Sequence, residues 1–308
     1  MRCHPSRKSP ARGPWMRHWL LLCCLLCTVP LQAAEIILSS VEDTPAIRAF
    51  SAALAARRPD DQVRFSPLAN LPTPERIARD TRLILFGPQA LDWRLAAPEG
   101  PPTLVVRIGR VQAQALLGDA RPAHLSLLWN DPDPARQLRL VRLLLPQAKR
   151  IGVLYDGHSE FLLDELRRAA APLGLEIVSQ AWPDSRDNRP VLALLQRSDL
   201  LLGLNDADLF NPHTAKSLLL TSYAQQRALI GPSASFVRAG SLVSSYSDQS
   251  DWLASLEHWL DQPPQRWPSS AYPPHFKVLG NRQVARALAI ELADDVTLTR
   301  QVAEGESP

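Results

Sequence analysis

From residue 35 onward, short apolar runs of strand length alternate with stretches whose apolar residues recur at helical spacing. Glu35 to Ser40 predicts a first strand, and Thr44 to Arg58 a helix after it. Gln62 to Ser66, Thr81 to Phe86, Pro102 to Ile108 and His124 to Trp129 predict four further strands. Most are near-continuous apolar runs, as expected of strands covered on both faces. The second half repeats the plan, with strands over Arg150 to Tyr155, Leu175 to Ser179, Asp199 to Leu204, Ala228 to Ile230 and Leu242 to Tyr246. Between them, Ser159 to Leu173 is amphipathic: Phe161, Leu162, Leu166 and Ala169 lie on one side, Asp164, Glu165, Arg167 and Arg168 on the other. Gly174 stands where a helix ends in a glycine. Gln137 to Leu145, in the link from Asp131 to Pro146 into the second half, is strongly helical, and Val191 to Arg197, Asn211 to Arg227 and Trp252 to Leu260 predict the remaining helices.

Alternation of this kind in both halves implies an α/β protein of two doubly wound, Rossmann-like lobes with mostly parallel sheets joined by a hinge. The expected division is a leader over 1–34, a first lobe over 35–130 and a second over 131–262. The last segment, 263–308, begins with a proline-rich crossover (Pro263 to Pro274), and its tail, Phe276 to Val302, is expected to return towards the first lobe or the hinge. Facing sets of strand ends across a hinge make a cleft. In open α/β sheets that is where a ligand binds.

The first 34 residues have a different pattern. Arg2, Arg7, Lys8, Arg12 and Arg17 precede an apolar run from Trp19 to Val29, then Pro30-Leu31-Gln32-Ala33-Ala34, with no acid before Glu35. This is the layout of a secretory signal peptide cleaved after Ala33 or Ala34. The run, about eleven residues, is shorter than the ~20 of a spanning helix. Leu25-Leu26 before Cys27 argues against a lipid-attachment cysteine. All four cysteines (Cys3, Cys23, Cys24, Cys27) fall in the leader, so a secreted product carries no thiol into an oxidising compartment. The periplasm is the expected location. Five of the 34 basic residues go with the leader, leaving 29 against 31 acidic ones, or about −2. The overall pI of 8.8 is therefore largely a targeting signal and gives no reason to expect a nucleic-acid partner.

Catalytic signatures are missing. There is no Gly-x-Ser-x-Gly elbow, phosphate-loop Gly-Lys-Ser/Thr or Gly-x-Gly-x-x-Gly. His124, His158, His213, His258 and His275 are scattered, without metal-ligand spacing. The sequence reads as a binding protein with no cofactor or metal, and not as an enzyme.

Four ordered segments then carry a resemblance. Gln137 to Tyr155 (QLRLVRLLLPQAKRIGVLY), Asn205-Asp206 after Leu200 to Leu204, Ser235 to Leu242 (SFVRAGSL) and Phe276 to Leu288 resemble the periplasmic substrate-binding proteins of ABC importers, the type I periplasmic-binding-protein fold, in the branch related to amino-acid binders. The resemblance spans residues 124–300 and is weaker in the first lobe, around Leu83 to Ala90. It implies capture of a small organic ligand, amino-acid-like or a small anion, between two lobes. It also implies an inner-membrane permease, or another periplasmic or outer-membrane uptake partner. A sensor or accessory module using the same fold without direct transport is the alternative. This chain departs from the family where an Asp-Pro-Val loop is usual: it reads Arg107-Ile108-Gly109-Arg110, which favours a more anionic ligand if the arginines face the cleft and says nothing if they face solvent.

Strand ends supply the candidate contacts. Ser39 and Ser40 end the first strand, and Gly87 opens a turn with backbone N–H groups suited to a carboxylate. Trp129 and Asn130 end the fifth strand, Tyr155 and Asp156 the sixth, and Asn205 and Asp206 another. Ser233 and Ser235 follow Gly231-Pro232. Asp206 suits a ligand ammonium. Each has a bland reading as well, since Ser, Asn and Asp cap helices and form turns, and Trp129 can pack at the hinge.

Overall fold

The computed structural model describes residues 34–120 and 122–306. The leader expected over residues 1–34 lies outside these, apart from Ala34. Among the described residues there are two six-stranded sheets. In the first, β1 (Glu35–Ser40) is flanked by β2 (Gln62–Pro67) and β3 (Arg82–Phe86), followed by β4 (Thr103–Ile108) and β5 (Leu125–Trp129), all parallel. The second sheet repeats the order with β6 (Arg150–Tyr155) between β7 (Glu176–Ala181) and β8 (Leu200–Leu202), then β9 (Ala228–Ile230) and β10 (Val243–Tyr246). Both sheets thus have the 2-1-3-4-5 order of a doubly wound fold.

The apolar runs predict this burial well. Ile36 and Leu38 point to one face of the first sheet, with Ile84, Leu104 and Val106. Ile37 points to the other, with Leu83, Leu85 and Val105. Helix α1 (Pro45–Arg57) covers the first face with Phe50 and Leu54. It starts at Thr44, whose hydroxyl accepts from the Ile47 N–H at 3.3 Å. Helices α2 (Pro88–Leu95) and α3 (Arg110–Leu117), absent from the sequence reading as helices in their own right, lie on the second face through Leu91, Ala113 and Leu117. Each fully buried side chain of this size contributes about 1.5–3 kcal/mol.

Helix α4 (Pro134–Leu144), capped by Asp133, carries the chain into the second lobe. There α5 (Leu163–Ala170), α6 (Arg189–Arg197), α7 (Pro212–Ala224) and the short α8 (Ala234–Ala239) alternate with the strands. Gly174 takes φ +62° at the end of the α5 segment, the left-handed conformation expected there.

Two boundaries differ from the expected ones. Helix α9 (Gln249–Leu260), assigned by sequence to the second lobe, packs in the first: Trp252, Leu256 and Trp259 join Phe50 and Leu54. Arg57 pairs with Glu257 at 2.9 Å and Arg58 with Asp261 at 2.7 Å. The crossing therefore occurs near Ser247, and Trp267 and β11 (Ser270–Ala271), which extends the first sheet beside β5, stay in the first lobe. The tail also goes the other way. β12 (Lys277–Gly280) pairs antiparallel with β10. Val284 and Ala285 of α10 (Arg282–Ala287) and Leu298 and Val302 of α11 (Asp295–Glu304) complete the second-lobe core. Apolar surface on β10 and α4 is what this tail covers.

Candidate functional site

Both sheets reverse strand order at their first strand, and in doubly wound folds ligands bind outside the carboxyl ends of the strands at such a reversal. The second lobe and the hinge bring together four of the expected residues. A cavity of ≈ 750 Å³ on the α7/α8 side is lined by Asn130, Asn205, Ser233 and Ser235, with Phe210 and Phe236 among its apolar walls. Asn130, Ser233 and Ser235 also line a neighbouring cavity of ≈ 220 Å³, with Trp129, Arg136 and Tyr246. Polar groups over an apolar wall suit a small amphipathic solute. Phe210, Lys216, Tyr223 and Phe236 were missed. They sit on or beside the helices after the strands, where an aromatic reads as core.

Local chemistry explains these positions. Ser233 caps α8, accepting from the Phe236 N–H at 3.3 Å, and its hydroxyl lies 2.8 Å from that of Ser235, which is exposed. Asn130 is exposed, with its own N–H bonded to the Ile108 carbonyl at 2.9 Å. Trp129 is 9 % exposed, and Arg110 lies 5.7 Å from its ring, so much of it serves hinge packing.

The remaining candidates do not reach these cavities. Ser39 and Ser40 are buried, and the Ser39 hydroxyl has no partner among the described residues. Gly87 takes φ +81° ahead of α2, and its N–H is already given to the Val106 carbonyl at 3.0 Å. It is therefore not free for a carboxylate, and the Pro88 that follows has no N–H to offer. Tyr155 packs half-buried against the second core. Asp156 folds its own turn, accepting from the N–H groups of His158 (2.8 Å) and Ser159 (3.1 Å). Asp206 is 1 % exposed, so it cannot meet a ligand ammonium in the cleft as the sequence reading had it. One of its oxygens accepts from the Asp208 N–H at 2.9 Å, and the other has no hydrogen-bond partner among the described residues. Burial pushes its carboxyl above the usual range, and the nearby Asp156 charge adds to this. Asp156, Asp206 and Asp208 have carboxylate oxygens within 4.8 Å of one another.

Arg107 and Arg110 part company. Arg110 pairs with Glu165 of the second lobe, donates to the Tyr272 hydroxyl at 2.9 Å and lies 5.7 Å from the Phe161 ring. Its backbone N–H donates to Asp131 at 2.9 Å. Asp131 is held up to about 7, chiefly by enclosure of its carboxyl, against the Arg110 N–H and charge and the Asn205 side chain, which favour ionisation. Arg107 has no such partner among the described residues. Its guanidinium lies over the Phe50 and Phe86 rings, 5.6 and 5.9 Å from their centroids.

No protein-family model matches the sequence, and no curated protein does. Solved structures do match. A substrate binding protein with adhesive properties from Clostridium difficile, in its ligand-free open form, is 17 % identical with a TM-score of 0.62, covering 85 % of this chain and 97 % of that one. The ABC domain from Streptococcus pneumonia in complex with L-Trp is 18 % identical, TM-score 0.56, covering 87 % and 98 %. A conserved domain protein from Vibrio cholerae is 15 % identical, TM-score 0.56, again covering 87 % and 98 %. At these identities the likeness is one of fold, and the fold is the two-lobed α/β architecture of type I periplasmic binding proteins.

Proposed function

We propose that this chain is a periplasmic solute-binding protein. It is secreted by its amino-terminal leader and closes its lobes on one small organic molecule, amino-acid-like or a small anion. It delivers that molecule to an inner-membrane ABC importer. The observation that carries this reading is the ≈ 750 Å³ cavity at the carboxyl edge of the second sheet, bordered by the hinge residue Asn130. Its volume lies within the range of small-molecule pockets. Asn130, Asn205, Ser233 and Ser235 are the polar contacts and Phe210 and Phe236 the apolar wall. No helix among the described residues is long and apolar enough to cross a membrane, which suits a protein that meets its permease from outside the bilayer. A thermal-shift screen of the purified protein against amino acids, peptides, sugars and small anions tests the reading. A ligand at 100 times its Kd adds about 2.7 kcal/mol. Absence of any shift across a broad library removes the proposal.

A further inference from the structure

Two observations single out Arg107. The first is conformational. Along β4, Val105 faces the α2/α3 side of the first sheet and Val106 the α1 side. Strict alternation would send residue 107 back to the α2/α3 side. Arg107 instead takes φ +53°, left-handed and unfavourable for a side chain of this size. The pairing of β4 with β5 slips between Val106 and Ile108. The bulge returns Ile108 to the α2/α3 side and leaves the Arg107 guanidinium over Phe50 and Phe86. Strain of this kind persists where surrounding structure holds it, and it gathers at ligand sites.

The second is electrostatic. Arg107 is an exposed residue, and among the described residues its guanidinium has no carboxylate or carbonyl partner, while the part of its head set against the two rings loses water, which lowers its pKa. The buried Arg94 and Arg136, by contrast, have protein partners. Arg94 donates to Thr103 and the Ala97 carbonyl, and Arg136 to Glu306 and the Pro273 carbonyl. The aromatic faces attract the cation but leave its five N–H donors unused.

Position completes the argument. Phe86 pairs with Val106 and Ser39 with Leu85. Arg107 therefore follows the last paired residues of β3 and β4, at the carboxyl edge and beside the strand-order reversal, where doubly wound folds bind ligands. We propose that Arg107 is the charge-selecting contact of the first lobe, and that the solute carries a carboxylate which the guanidinium holds. A planar fork matches a carboxylate in a bidentate fashion, and a single such group suits one negative charge. This rests on the solute-binding reading; Arg107 lines neither of the two cavities described above, and it names the ligand class from the facing edge of the first lobe.

The test uses matched pairs that differ only at the acid: phenylacetate and phenylacetamide, L-tryptophan and L-tryptophanamide, succinate and succinamide. Each is titrated by thermal shift and calorimetry into the wild-type protein, Arg107→Gly and Arg107→Gln, with a wider library of sugars and amines alongside. Glycine accepts φ +53° freely, so R107G should fold and melt at or above the wild-type temperature. The expected result is binding of at least one carboxylate, at least tenfold weaker binding of its amide, and at least tenfold loss in both variants. If the wild-type and R107G proteins bind a carboxylate equally, or only amides, sugars or amines bind, the role of Arg107 is overturned while solute binding stands. If nothing in the pairs or the library binds, both fall.

Discussion

The Arg110 guanidinium donates to the Tyr272 hydroxyl at 2.9 Å, and that hydroxyl donates onward to Glu165 at 3.1 Å. Arg110 opens α3 of the first lobe, Glu165 lies on α5 of the second, and Tyr272 follows β11 at the last crossing. The trio ties the lobes beside the hinge, with Phe161 and Trp129 flanking the guanidinium. Burial pushes the Tyr272 hydroxyl up to about 12, so it remains a donor throughout the working range.

Tyr272→Phe deletes both hydrogen bonds and leaves the ring. Each such bond contributes about 0.5–1.5 kcal/mol net, more where a charge takes part. The expected loss is about 1–3 kcal/mol, read as a lower urea midpoint with an unchanged slope. A midpoint equal to wild type would mean that the trio does not hold the lobes.

Asp131 gives the hinge a pH response. Its folded pKa of about 7 lies above the ordinary 3.8, so the folded state holds a proton that the unfolded chain releases. The stability linked to that proton is complete below the unfolded value and is lost as pH rises through about 7. Denaturant midpoints from pH 4 to 8 should show this fall in the wild-type protein, and Asp131→Asn should lack that component. Parallel curves for the two proteins would contradict it.

Gln137, the first residue of the segment that carries the family resemblance, is 3 % exposed and fully employed. Its amide nitrogen donates to the Gly231 carbonyl at 2.9 Å, and its oxygen accepts from the Ser245 N–H at 2.9 Å. It locks α4 to the ends of β9 and β10. Gln137→Leu would strand these groups at roughly 1–3 kcal/mol each. Chemical denaturation should show a loss of that order, whereas a neutral outcome would require water to replace the amide.

These residues show where the sequence was legible. Near-continuous apolar strands and helical periodicity are local signals, so β1 to β10 and the long helices could be read, and strand ends located Asn130, Asn205, Ser233 and Ser235. The stripe of Trp252, Leu256 and Trp259 announces a helix but not which sheet it covers, so the lobe boundary near Ser247 was hidden. β12 was hidden too, because an antiparallel edge strand of four residues has little pattern of its own. Arg107 and Arg110 look alike in sequence. Only the bulge at Arg107 and the partners around Arg110 separate a guanidinium left free from one already paired. Likewise, nothing local distinguishes a free strand-end N–H from that of Gly87, which Val106 consumes.

Ser235 offers the cleanest probe of the large cavity. It is exposed, precedes the buried Phe236 on α8, and borders both cavities at the hinge. Its side-chain hydroxyl bonds to that of Ser233, which also accepts from the Phe236 N–H. The cap would therefore survive replacement of Ser235. Ser235→Trp should leave the unliganded melting midpoint close to wild type, since surface substitutions usually change stability by only about ±0.5 kcal/mol. The indole would occupy space that a solute needs. A compound that stabilises the wild-type protein should then lose at least tenfold in affinity, equivalent to about 1.4 kcal/mol. Full retention of binding by S235W, with the fold intact by circular dichroism, would place the solute away from this cavity.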